Sequence, residues 1–452
     1  MILARKLLGA GGLVDGVAPT GITLVNEVSG VVQGGTTTTD VTLPGSLQEG
    51  DVLVLMIAAD VNLADATPDA AVDGNISQDG WFHLHASQYS SVDGYIYGLV
   101  CESSPPTTVR VRGSSSATAD APYVCQAWRG VDARVFDARS GSAYTTGSSA
   151  NPDPPAVTTV TDDALVIAFA MMDDDDTTVS VWPTGYTNQI EKGTGNTGTT
   201  NECTIAMSSK IVSSAGSENP SAYTFNSSDS WATCSIALMP DQSEVSTWSI
   251  TEVGRRHYTN QDGPTYNLPT VLEDDYVLIF SGAGGNYGSG GDPMNSSGWT
   301  VLYSSAQFMY VWGKVMGSTP DTTFNITAGT DGQALEVVAF RGVDTTTPQD
   351  VAVGFNTFSS THPSITTVTN NALVIRWRGT FGNRDFGLSE WPIGYAGMGQ
   401  AVRSYQTFNT GNANVSLCYT QQDSAGATGT ITMRNNNTGG TEGSGTMALR
   451  PA

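Results

Sequence analysis

A chain of 452 residues is too long for one hydrophobic core and divides into about two to four domains. Its 39 % apolar residues, with 9 Trp and 16 Tyr, exclude a disordered chain, while 51 Gly and only 14 % charged residues suit short strands joined by turns. Nineteen basic against 43 acidic residues give a net charge of −24, which excludes a polyanion such as DNA as a partner over most of the surface.

The chain opens "MILARKLLGAGGLVDG". A signal peptide has basic residues first and then an unbroken apolar run. Here Ile2 and Leu3 precede Arg5 and Lys6, and Gly9, Gly11 and Gly12 break the apolar stretch before Asp15. Residues 1–19 are therefore expected to form an anchoring arm, helical or extended, that buries Ile2, Leu3, Leu7 and Leu8 on a partner chain. No run reaches the length of a membrane span, so no membrane insertion is expected.

From residue 20 the chain reads in period-two segments bounded by Gly, Pro, Asn and Asp, as in "TTVRVRG" (Thr107–Gly113). The landmarks of the first half run in the order "LPGSLQEGDVLVL" from Leu43, Gly80-Trp81, "AWRGVD" from Ala127, "PPAVTTVTDDALVIAFA" ending at Ala170, "WPTGY" from Trp182 and "IALMP" from Ile236. The second half repeats the order: "LPTVLEDDYVLIF" from Leu268, Gly298-Trp299, "AFRGVD" from Ala339, "HPSITTVTNNALVIRWR" ending at Arg378, "WPIGY" from Trp391 and "MALRP" from Met447. Between Pro155–Ile167 and Pro363–Ile375, nine of thirteen positions are identical and two of the differences are Asp to Asn. The predicted fold is all-β: two tandem antiparallel β-sandwich units of jelly-roll or immunoglobulin-like type, 20–241 and 242–452. Each is internally doubled, with half-units of about 20–134, 135–241, 242–346 and 347–452, and each half is the size of one sandwich. In the repeated phrase, "TTVT" leads in, the Asp or Asn pair turns, and "ALVI" is a central strand buried on both faces.

This order of motifs resembles a tandem β-sandwich module of tailed-phage virion structural proteins, also found in bacterial surface proteins. The resemblance covers about residue 20 to Ala452. It implies a non-enzymatic virion structural protein, displayed on the particle surface as a capsid decoration or a tail or fibre component and assembled in the host cytoplasm. Its partners would be other virion proteins and further copies of itself. The alternative is a carbohydrate-binding receptor-recognition fibre or adhesin that takes a host surface glycan, in the bacterial case at the cell surface. Bacterial versions usually follow an export signal, which this N-terminus does not provide.

The residues that could carry chemistry point away from it. His83 and His85 have a zinc-compatible spacing, but Val301 and Tyr303 stand at the matching positions and no third ligand is evident. "MMDDDD" (Met171–Asp176) and "DGNISQDG" (Asp73–Gly80) lack the spacing of a calcium loop and read as solvated loops, so no metal is expected. His83, His85, His257 and His362 lie in no nucleophile motif, and neither a P-loop nor a dinucleotide fingerprint is present, so no catalytic residue and no cofactor are expected. Spatially paired carboxylates leave a glycan hydrolase as a third reading. Cys101, Cys125, Cys203, Cys234 and Cys418 form no CxxC pair and read as buried free thiols.

Three further expectations concern interactions. Arg129 and Arg341 of the "RGVD" stretches should brace the junction between half-units. Trp81, Trp182, Trp299 and Trp391 recur as core anchors, which leaves the unmatched Tyr258, Tyr266 and Tyr287 as candidate sugar-stacking residues. Asp173–Asp176 align with a segment flanked by Arg376, Arg378 and Arg384, which suggests oppositely charged loops meeting between subunits.

Overall fold

The computed structural model describes residues 21–32, 39–60, 81–89, 92–101, 104–111, 120–139, 145–174, 177–195, 203–241, 248–259, 265–283, 292–305, 309–327, 333–357, 359–381, 395–402, 413–432 and 441–452. The arm 1–19, the stretch 73–80, Asp175, Asp176, Tyr287, Arg384 and Trp391 lie outside the described residues, as do the side chains of His83, His85 and His257. Among the described residues every regular element is a strand and every pairing is antiparallel. They divide into two compact units, one ending at Asp241 and the other running from Trp248.

Each unit holds two large sheets built on one five-strand path, to which the second sheet of the first unit adds a sixth strand, Thr145–Ser149, beside Asp229–Pro240. In the first unit the strand orders are Thr23–Val32, Ala121–Arg129, Val52–Asp60, Val92–Val100, Phe82–Tyr89, and then Val131–Arg139, Asp229–Pro240, Ala164–Met172, Thr204–Val212, Thr187–Gly193. In the second unit they are Thr251–Thr259, Gln333–Arg341, Tyr276–Ala283, Met309–Val315, Thr300–Ser304, and then Gln349–Thr357, Thr441–Leu449, Ala372–Phe381, Ala413–Gln422, Ala396–Val402. The central strand is always the one that comes after the Asp- or Asn-rich turn. It is apolar at nearly every position because both of its faces are covered: Ala164–Met172 is buried throughout.

Two cores explain this double burial. In the second unit Leu278 and Phe280 point one way and meet Leu373, Ile375 and Trp377 of the other large sheet. Val277 and Ile279 point the other way and pack with Tyr266 and Phe324, which belong to a two-stranded cover made of Thr265–Asn267 and Thr323–Asn325. The fourth quarter has its own cover, Thr361–His362 paired with Ile431–Thr432. Each quarter thus supplies one large sheet and a small cover, and the main sandwich closes between quarters. The sequence reading places a complete sandwich within each quarter, because period-two patterning shows which strands are buried but not which sheet buries them.

The edges differ from the centres. Eight edge pairings of the large sheets slip register: at Leu24/Asn26, His83/His85, Thr187/Ile190 and Ala237/Leu238 in the first unit, and at Glu252/Gly254, Val301/Tyr303, Gln349/Val351 and Ala396/Gly399 in the second. The short edge strand Thr145–Ser149 is the exception and pairs with Asp229–Thr233 in continuous register. The central pairings run without a shift. A bulge twists the edge and leaves a residue unpaired, which spoils the edge as a template for another strand.

Candidate functional site

The turns that lead into the central strands gather the most ordered polar chemistry of the molecule at one end of each unit. In the first quarter Arg129 clasps Asp51 through two 2.8 Å hydrogen bonds, and Asp51 Oδ2 also accepts from Gln48 N at 2.7 Å. The third quarter repeats this with Arg341 on Asp275, again at 2.8 Å twice, and Leu272 N donating to Asp275 Oδ2 at 2.7 Å. Both carboxylates are buried beneath half-exposed guanidiniums. The clasp therefore ties the closing strand to the central strand of one quarter. This corrects the expectation that Arg129 and Arg341 brace the junction between half-units. That junction is made by main chain instead, with Asp241 N donating to Gly130 O at 2.7 Å and Ala452 N to Gly342 O at 2.9 Å. Gly342 has φ +84°, and a Cβ there would lie 2.2 Å from Ser249 O, so the "RG" step requires glycine.

In the second and fourth quarters the repeated phrase builds the equivalent turn. Asp137 Oδ2 accepts from Val160 N at 2.8 Å, and Asp350 Oδ2 accepts from Val368 N at 2.7 Å. Asp162 Oδ1 accepts from Ala215 N at 2.8 Å, and Asn370 Oδ1 accepts from Ala425 N at 2.9 Å. Asp163 and Asn371 take left-handed φ values of 59° and 60°. An oxygen acceptor followed by a residue tolerant of left-handed backbone is all the turn asks for, and Asp and Asn both supply it.

Outside these clasps the turns present aliphatic side chains. Val160 (58 %), Leu272 (57 %) and Val368 (61 %) occupy the turns before three different central strands and are among the most exposed large apolar residues described. The aromatics behave otherwise. Trp81 is buried, and Trp182 and Trp299 pack against their cores, as anchors should. Tyr266 is also buried, and Tyr258 lies against it at a tilt, ring centroids 5.1 Å apart, while donating to Asn267 O at 2.7 Å. These two tyrosines are core residues and not a sugar platform.

The second unit also buries charge that its partner unit lacks. Between its large sheets Arg255 bonds Glu252 at 3.1 and 2.8 Å, contacts Glu336, and Tyr419 Oη donates to Glu252 Oε2 at 2.8 Å. Burial opposes the charge on Arg255, but the two carboxylates more than restore it and hold its pKa above the ordinary value. Under the cover of the fourth quarter lies Arg376, fully buried, with all five N–H groups taken by neutral acceptors. These are Tyr395 Oη (2.9 Å), Pro363 O (3.3 Å), Thr446 Oγ1 (3.2 Å), Thr428 O (3.0 Å) and Gly429 O (2.9 Å). Arg378 is buried beside it, and so is His362, whose pKa falls to about 3 through burial and through the charges of Arg376 and Arg378.

These positions overturn the expectation of opposed charged loops. Arg376 and Arg378 are not loop residues available to an acidic partner but lie inside a central strand, and the aligned Ala168 and Ala170 are likewise buried. The signal was present in the sequence: "ALVIRWR" places arginine at alternate positions, on the face already assigned to Ala372 and Val374. Burial drives the thiols of Cys125, Cys234 and Cys418 well up, and Cys101 to about 12, so they are poor nucleophiles. Among the described residues no three His, Cys, Asp or Glu side chains are grouped to hold a metal ion. No family model, no curated protein and no solved structure matches this chain.

Proposed function

We propose that this chain is a non-enzymatic structural protein of a tailed-phage virion, displayed on the particle surface as a capsid decoration or a tail or fibre component. The observation that carries the reading is the treatment of the sheet edges: a bulged strand stands at both sides of every large sheet while the central pairings stay in register, and the one edge strand that pairs evenly, Thr145–Ser149, is only five residues long. Copies of an all-β chain crowded on a particle are held at high local concentration, where any flat edge would pair with its neighbour. Closed edges keep such a layer ordered. The net charge of −24 acts in the same direction by keeping copies apart where no specific contact is made. The described aromatics are committed to cores, which leaves the glycan-binding alternative without a stacking platform among them.

The reading is tested by gold-labelled antibody against the chain on purified particles from a host that produces it. Label spread over the capsid or along the tail agrees with it. Label confined to a tail tip moves the assignment to receptor recognition, and particles that carry no label end it.

A further inference from the structure

The bulged edges restrict how copies of this chain can hold one another. Strand addition is disfavoured along the bulged edges and has only the five residues Thr145–Ser149 to use elsewhere, and the ionic clasps are internally satisfied. The strand-entry end of the second unit is different. Leu272 and Val368 stand there 57 % and 61 % exposed, with Glu273 and Asp274 exposed beside Leu272. A continuous set of bonds puts both turns at that one end. Leu272 N meets Asp275, which holds Arg341; the next residue, Gly342, abuts Ser249; Ser249 N donates to Gln421 Oε1 at 2.8 Å; and Gln421 pairs with Leu373 at the start of the fourth quarter's central strand. In the first unit the matching Leu47 is half-buried, which leaves Val160 alone.

One segment of this chain has the complementary chemistry. The first eight residues carry Ile2, Leu3, Leu7 and Leu8 together with Arg5 and Lys6 and no acid, on a chain whose net charge is −24. We propose that residues 1–20 of one copy dock on the strand-entry end of another copy's second unit, apolar side chains against Leu272 and Val368, and Arg5 and Lys6 against Glu273 and Asp274. Aliphatic burial supplies the affinity. The charges select this end and steer the approach, so the contact weakens with salt. The inference deepens the reading of the chain as a self-assembling structural protein, and the two can fail separately.

The test uses engineered thiols on the full chain, since the native cysteines are buried. A Leu7→Cys variant is mixed with a Leu272→Cys variant at low salt under mild oxidation. A reducible species of twice the chain mass is expected from the mixture. Most of it should be lost when the acceptor also carries Glu273→Lys and Asp274→Lys, and regained when the donor carries Arg5→Glu and Lys6→Glu. Glu273 and Asp274 are exposed, and native Trp fluorescence confirms that every variant folds. No cross-linked species, or a bond formed only within one chain carrying both cysteines, overturns the proposal. Particle labelling with no cross-link would leave the virion reading standing and remove this docking site.

Discussion

The second and fourth quarters place the same strand in the same sheet over different cores. Beneath Ala164–Met172 the cover-facing residues are Val166, Ala168, Ala170 and Met172, and Tyr223, Phe225 and Trp231 fill the space. Beneath Ala372–Phe381 the aligned residues are Val374, Arg376 and Arg378, and His362 stands where the first unit has Pro154. The comparison shows that this fold does not prescribe polarity at its centre. It prescribes a filled volume and, where a guanidinium such as that of Arg376 is buried, acceptors for its donors. Small residues with an aromatic from the cover meet that demand, with Tyr223 Oη donating to Ala168 O at 2.8 Å. An arginine meets it when the cover offers carbonyls at the right places.

If this is correct, the two solutions do not exchange. Ala168→Arg brings a guanidinium into a space already filled by Tyr223 and Phe225, with no set of acceptors arranged for it. An unpaired buried charge and overpacking together cost several kcal/mol, a large part of the roughly 5–15 kcal/mol that holds a domain. The first unit should fail to fold, visible as rapid protease cleavage confined to residues before Asp241. A well-folded Ala168→Arg chain would show that the covers are more adaptable than the comparison implies.

The converse change should be smaller but still severe. Arg376→Ala removes the common donor of Tyr395, Pro363, Thr428, Gly429 and Thr446 and opens a void under the cover. Each buried group left unsatisfied costs about 1–3 kcal/mol, and solvent or neighbouring groups recover part of it. A loss of about 3 kcal/mol or more is expected in urea unfolding of the second unit, with the first unit unchanged.

His362 sharpens the contrast through pH. Its ring is held neutral in the fold, with a pKa of about 3, against 6.5 when unfolded. Below pH 6.5 the unfolded chain binds a proton that the folded chain refuses. The second unit should therefore lose stability as pH falls from 6.5 toward 3, at up to about 1.4 kcal/mol per unit, with no contribution from this group above 6.5. His362→Asn should remove that part of the slope, measured as the difference between the two chains. Parallel pH profiles would mean that the ring is protonated in place. Pro154 gives the first unit no counterpart to this dependence.

Much of this is legible in the sequence because it is local. The repeated phrase locates two central strands and their turns, and alternation marks the buried faces. The "RGVD" arginines stand out, but their partners Asp51 and Asp275 lie 78 and 66 residues away, and no spacing rule connects them. Tyr258 and Tyr266 mislead because a residue without a repeat counterpart looks available for binding, whereas Tyr266 lies in the small cover and Tyr258 on the edge strand Thr251–Thr259, both packed into one core. Arg376 and Arg378 read as loop-flanking residues for a related reason. Their charge outweighs their period in that reading, although the period already places them inside.

The smallest expected effect concerns the residues that make the two phrases differ. Replacing Asp162-Asp163 by Asn-Asn keeps the Oδ1 acceptor for Ala215 N and keeps a side chain that tolerates φ near +60°. Asp162 is exposed at the surface, so removing its charge alters no buried pairing. The first unit should change by no more than about 0.5 kcal/mol, as for other surface substitutions away from special features. Asp162→Ala is the informative control, because it removes the acceptor while leaving the backbone tolerance at 163 untouched. It should cost about 1 kcal/mol, the net value of one hydrogen bond. If the Asn pair proves as costly as the alanine, then charge at this turn matters to the fold, and the interchangeability read from the two copies is wrong.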